Sequence, residues 1–114
     1  MYESLIQKMC EHPSPPTGIK DIFNNEVVEG DIVQTVEFRY ENGFNLGCKG
    51  VVYCRDDNFY IGWSYSGLAE PLSNFDVIKQ NRGTVKNNKG LLIIGDIVTS
   101  PERADDGGII DCNN

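Results

Sequence analysis

Val28-Glu29-Gly30-Asp31-Ile32-Val33 is restated 65 positions later as Ile94-Gly95-Asp96-Ile97-Val98. Each copy places a glycine and an aspartate before an apolar, β-branched pair. Glycine reaches backbone conformations that other residues avoid, and an aspartate carboxylate can bond the amides of its own turn. The β-branched pair favours a pleated, half-buried strand. Both copies therefore read as sharp turns leading into core strands, one near the front of a small β-rich domain and one near its end. Gly30, Asp31, Gly95 and Asp96 are expected to be structural turn residues.

Forward of the first copy lies the clearest strand, Ile32 to Tyr40 (IVQTVEFRY). Alternation puts Ile32, Val36, Phe38 and Tyr40 on a core face, with Gln34 as a polar exception. Val33, Thr35, Glu37 and Arg39 fall on the opposite, solvent face. Glu41-Asn42-Gly43 turns the chain, and Phe44 to Gly50 (FNLGCKG) reads as irregular. A hairpin follows: VVYCR, a turn at Asp56-Asp57-Asn58, then FYIGWSY. On its return strand Phe59, Ile61, Trp63 and Tyr65 share the core parity, alternating with Tyr60, Gly62 and Ser64. Residues 68–80 are ambiguous, because Pro71 blocks a continuous helix; Phe75, Val77 and Ile78 suggest a short strand or a single turn. Asn81 to Gly90 carries Arg82, Lys86 and Lys89, the one basic patch, and reads as an exposed hairpin loop. LLIIGDIVTS then forms a buried strand that Pro101 ends.

Behind the first copy, Ile19 to Val28 reads as a hairpin about Asn24-Asn25, a pair that tolerates left-handed turn geometry. His12 to Gly18 (HPSPPTG) is a stiff, extended linker, since prolines fix the backbone and withhold donors. Tyr2, Leu5, Ile6 and Met9 recur at helical spacing, with Glu3, Ser4, Gln7 and Lys8 turned away. That predicts a short helix within residues 1–12, which covers its own barrel or is lent to a partner, including a second copy of the chain. So brief a helix needs something to dock against.

With 114 residues the chain has room for one domain and a small core. The 12 glycines and five prolines favour many turns over long helices. The expected fold is mainly β (α+β): a small, partly open β-barrel of antiparallel hairpins with one short N-terminal helix. Formal charge is −7, and residues 102–111 carry four carboxylates, at Glu102, Asp105, Asp106 and Asp111, against Arg103 alone. Residues 102–114 therefore read as a solvated acidic tail. An acidic domain without a basic stripe repels phosphate backbones, so direct nucleic-acid binding is not expected; mimicry of nucleic acid is the less plain alternative. Leu91 to Ile94 is the longest apolar run, far short of the ~20 residues of a membrane span. The N-terminus lacks the pattern of a secretion signal, which points to the cytoplasm. Four cysteines without a CxxC pair, and a single histidine at His12 in the proline-rich turn, fit reduced thiols there and no metal site.

Several of these phrases together resemble the YopX family of phage and prophage proteins. They are Thr17-Gly18-Ile19-Lys20-Asp21, then Val28 to Val33, then Gly50-Val51-Val52-Tyr53 with Ile61-Gly62-Trp63, and finally Ile93-Ile94-Gly95-Asp96-Ile97 with Pro101-Glu102. Order and rough spacing agree from about Thr17 to Glu102, and the closing IIGDIVTSPE is the most specific part. The family's usual opening strand is replaced here by the expected helix. Ser100 and Arg103 stand where the family's closing motif has asparagine and leucine. The resemblance implies a phage-encoded, barrel-like β domain, here residues 19–101, in the cytoplasm of a bacterial host. It supplies no catalytic residues to transfer.

Three functions follow from these residues. The first is a non-enzymatic accessory protein that binds a host or phage protein, as a homo-oligomer, and modulates a host process or defence. The second is a module that captures a small nucleotide signal in counter-defence, using Tyr60, Trp63 and Tyr65 beside Arg82, Lys86 and Lys89. The third is acid–base chemistry by Asp31 and Asp96, if closely placed with separated pKa values. With no nucleophile–base set and no phosphate loop, catalytic residues and cofactors are not expected, and each aspartate more plainly fastens its own turn.

Overall fold

A computed structural model describes residues 3–39, 43–64, 66–75 and 89–104. Helix α1 (Glu3–Glu11) precedes five strands: β1 (Asp31–Arg39), β2 (Gly43–Arg55), β3 (Asn58–Trp63), β4 (Ala69–Pro71) and β5 (Lys89–Asp96). Two 3₁₀ turns, Leu72–Phe75 and Pro101–Ala104, follow β4 and β5. The strands form one antiparallel sheet in the order β4-β3-β2-β1-β5, and it does not close on itself. The expected mainly β class, partly open and with one short helix, is what the chain adopts.

Phe44 to Gly50, expected to be irregular, is instead part of β2. The ladder crosses it with one irregularity, between Gln34 and Val36. Thr35 Oγ1 accepts from the Cys48 amide (3.0 Å), and the Gln34 side chain donates to the Gly47 carbonyl (3.0 Å). These side-chain bonds repair the ladder where its register slips, so polar residues and glycines sit in a strand that periodicity alone did not show. The hairpin between β2 and β3 turns on Asp56 and Asp57, with φ of 53° and 65°. Two left-handed residues give the tight turn whose twist matches the strands.

The solvent-face assignment of Val33 is overturned. Val33 is fully buried, as are Ile32 and Val36, because both faces of the sheet are covered. One face gathers Val33, Cys48, Val52, Ile61, Trp63 and Leu91 under Leu72, Phe75, Ile19 and Val27. Phe59 packs against this set, so the parity expected for Phe59, Ile61 and Trp63 holds; Tyr65 lies outside the described residues. The other face gathers Ile32, Val51, Ile97 and Ala104, with Ile94 and the α1 side chains Leu5, Ile6 and Met9 against them. At roughly 1.5–3 kcal/mol for each fully buried large aliphatic side chain, the first face carries most of the stabilisation.

Residues 19–27 form the expected reversal about Asn24-Asn25 as a short hairpin arm: Lys20 bridges Glu26, the Val27 amide donates to the Ile19 carbonyl (2.8 Å) and the Asp21 amide to the Asn25 carbonyl (2.8 Å). Asn24 takes φ of 67° at its tip. This arm lies along the outer edge of β5: the Ile22 amide donates to the Leu91 carbonyl (2.9 Å), and the Ile93 amide donates to Asp21 Oδ2 (3.2 Å). A strand edge that would otherwise recruit a foreign strand is thereby occupied by the chain's own backbone and by one carboxylate.

Candidate functional site

The two Gly-Asp phrases meet at one end of the sheet. Asp31 and Asp96 are register partners, at the start of β1 and the end of β5. The first copy therefore opens a strand as expected. The second closes one, a correction to its reading as a strand opening. An antiparallel pair requires this, since one strand's start lies beside its neighbour's finish.

Each aspartate serves its own turn. Asp31 Oδ2 accepts from the Val28 amide (2.8 Å), while the Asp31 amide donates back to the Val28 carbonyl (3.1 Å). Gly30, at φ of 91°, makes that reversal possible. Asp96 Oδ1 accepts from the Val98 (2.9 Å) and Thr99 (2.8 Å) amides, and Oδ2 accepts from Thr99 Oγ1 (2.8 Å). Electrostatically the two differ. Burial, with repulsion from Asp96 and Asp21, pushes Asp31 up to about 6 against the single amide that opposes it. The Thr99 amide and hydroxyl and the Val98 amide hold Asp96 below the ordinary aspartate value. Asp21 completes the group: Oδ1 accepts from the Phe23 (2.9 Å) and Asn25 (2.9 Å) amides and Oδ2 takes the β5 edge. Among the described residues, no group of three or more His, Cys, Asp and Glu side chains is placed to hold a metal ion.

A second polar centre lies under α1. The Glu29 side chain is 4% exposed, yet it is ionised and satisfied. Lys8 Nζ (2.7 Å) and the Cys54 amide (3.0 Å) donate to Oε2, and Ser14 Oγ (2.6 Å) donates to Oε1. Burial pushes Glu29 up, but the Lys8, Ser14 and Cys54 donors outweigh it and leave the group below its usual value. Lys8 was expected to turn away from the docked face; it reaches the sheet instead, its flexible stem letting the ammonium find the buried carboxylate. Sequence reasoning missed Glu29 and Asp21. Glu29 follows a fully buried Val27 but an exposed Val28, so no local pattern marks it.

The aromatic and basic candidates do not converge. Trp63 is 7% exposed on the main core face, edge-on to Phe75 (ring centroids 5.9 Å apart), and its indole N–H donates to Glu70 Oε1 (3.2 Å). Tyr60, of opposite parity on β3, stacks on Tyr53 across the ladder (5.7 Å). Lys89 begins β5, at the far side of the sheet from β3 and opposite Glu37. Tyr65, Arg82 and Lys86 lie outside the described residues, as does most of the basic loop. None of Cys10, Cys48 and Cys54 is in a disulfide. No helix among the described residues is long and apolar enough to cross a membrane.

Comparison with protein-family models, curated proteins and solved structures finds no match to this chain.

Proposed function

We propose that the chain is a non-catalytic accessory protein of phage or prophage origin, related to the YopX family, that works in the bacterial cytoplasm by binding another protein. One observation carries the non-catalytic part: the carboxylates that look most like chemistry, Asp31 and Asp96, are bonded by the amides of their own turns. A carboxylate that holds its own backbone is committed to geometry and is poorly placed to reach a substrate. The binding part rests on the second sheet face, whose apolar cluster is covered by a nine-residue helix, the turn at Ile97 and a short 3₁₀ turn. Interfaces are built from such apolar ground with polar groups at its margin.

The separated pKa values of the Asp31–Asp96 pair favour acid–base chemistry as a second reading. Asp31→Asn separates the two: it leaves a binding function intact and abolishes proton transfer. The decisive experiment is affinity capture with the tagged full-length chain in infected host cells. A stoichiometric host or phage protein retained by Asp31→Asn supports the reading; no captured protein, or capture abolished by Asp31→Asn, counts against it.

A further inference from the structure

The groove beneath α1 is floored by residues of β1 and β2 and by the turn that follows β5. Ile32, Val51 and Ile97 floor it, Gly30 leaves a socket, and the Glu29 carboxylate stands at its margin. A Cβ on Gly30 would lie 2.4 Å from Met9 Cε and 2.9 Å from its sulfur, so the methionine tip fills the space that a side chain would take. The occupant is held by one ion pair, Lys8 to Glu29, and by partly buried apolar side chains. No α1 residue is fully buried, and its Leu5, Ile6 and Met9 contacts are partial. A helix of nine residues is below the ~12–15 needed for stability on its own. Opening it breaks no strand pairing, so it is a local event rather than global unfolding.

We propose that this groove is a helix-docking site, filled in cis by α1 and open in trans to a partner's amphipathic helix. That helix carries apolar side chains at the spacing of Leu5, Ile6 and Met9 and a lysine at the place of Lys8. The inference rests on the interaction reading and deepens it by naming the surface and the kind of partner. Glu29 sets the specificity. With α1 released it loses Lys8, its one cation, and keeps only neutral donors, Ser14 and the Cys54 amide. A purely apolar helix would bury a carboxylate without a cation, which is strongly disfavoured. An anionic helix would be rejected outright. The tethered α1 competes at high effective concentration, so the unaltered chain binds in trans weakly and a change that frees α1 switches it on.

The test uses the full chain and a dye-labelled peptide of residues 3–14, read by fluorescence anisotropy. Lys8→Glu in the chain sets like charge against Glu29 and expels α1; this variant is expected to bind the peptide at least tenfold more tightly than the unaltered chain. The same substitution in the peptide is expected to lose that binding. Hydrogen exchange on the unaltered chain, which needs no variant to fold, is expected to show α1 amides exchanging at least a hundredfold faster than those of β1 and β2. Equal protection of α1 and β1 overturns the proposal, as does a released α1 with no gain in peptide binding. The interaction reading fails separately. If a partner from infected cells is captured equally by both chains and is not displaced by the peptide, the groove is wrong and the interaction stands. If the peptide binds and no partner is captured, the reverse holds.

Discussion

The two Gly-Asp phrases use the same residues for different ends. Gly30 needs its left-handed conformation and receives Met9 from the N-terminal helix. Gly95 has no left-handed φ. It makes room for the closing 3₁₀ turn, where a Cβ would meet Ser100 Oγ at 2.7 Å and Arg103 Cδ at 3.1 Å. Asp31 is buried and bonds backwards to Val28, while Asp96 sits partly exposed at a turn open to water and bonds forwards to Val98 and Thr99. In each copy the glycine seats a terminal segment of the chain and the aspartate ties a turn. Position in the ladder, opening one strand and closing the next, decides which way each tie runs.

Alanine in place of the two glycines should break the likeness most clearly. Gly30→Ala forces a side chain into a left-handed residue and evicts Met9. The methionine tip is flexible, so the clash is relieved by undocking α1, and the total cost is about 2–4 kcal/mol. Gly95→Ala meets only movable side-chain atoms and loses the Arg103 bond to the Ile94 carbonyl, at about 1 kcal/mol. Urea unfolding of the two variants measures the gap. Equal losses would mean that neither the backbone of Gly30 nor its socket matters as described.

Neutralising Asp31 tests its burial. The folded-state pKa of about 6 lies above the ordinary 3.8, so the native state binds a proton more readily than the unfolded chain. Stability therefore rises as pH falls from about 7 towards 4, and the ionised form is a liability at neutral pH. Asp31→Asn keeps an oxygen for the Val28 amide and removes the charge that Asp96 and Asp21 repel. It should stabilise the chain by on the order of 1–2 kcal/mol at pH 7.5, after allowance for solvent screening, and by almost nothing at pH 4. Thermal denaturation across that range reads the difference; a destabilised Asp31→Asn at pH 7.5 would show the carboxylate to be needed ionised.

Much of this end of the sheet was legible in the sequence, and the limits have physical causes. The turn roles of Gly30, Asp31 and Asp96 follow from residue chemistry, and the β2–β3 hairpin and the Trp63 parity follow from period two. The direction of the second copy was not legible, because a strand and its exit turn have the same composition as a turn and its strand. Val33 was misplaced because alternation identifies a solvent face only when one face is wet, and here both are covered. Glu29 escaped notice because its partners, Lys8, Ser14 and the Cys54 amide, are 21, 15 and 25 positions away. Pairings at that range are created by the fold and leave no local pattern.

The smallest effect is expected at Asp96, and it tests the comparison by its sign. Asp96→Ala removes the acceptor for two amides and a hydroxyl at an exposed turn, where water takes over, so the cost is about 0.5–1.5 kcal/mol at neutral pH. Since those donors hold the folded-state pKa below 3.8, the stability Asp96 supplies is present above that value and is lost as pH falls through the folded one. The gap between the unaltered chain and Asp96→Ala should therefore close only in strong acid, while the gap opened by Asp31→Asn closes already between about pH 6 and pH 4. One variant loses stability at neutral pH and the other gains it. Differences of the same sign from the two aspartates would mean that the motif dictates their role, and that burial on one side and a wet turn on the other do not.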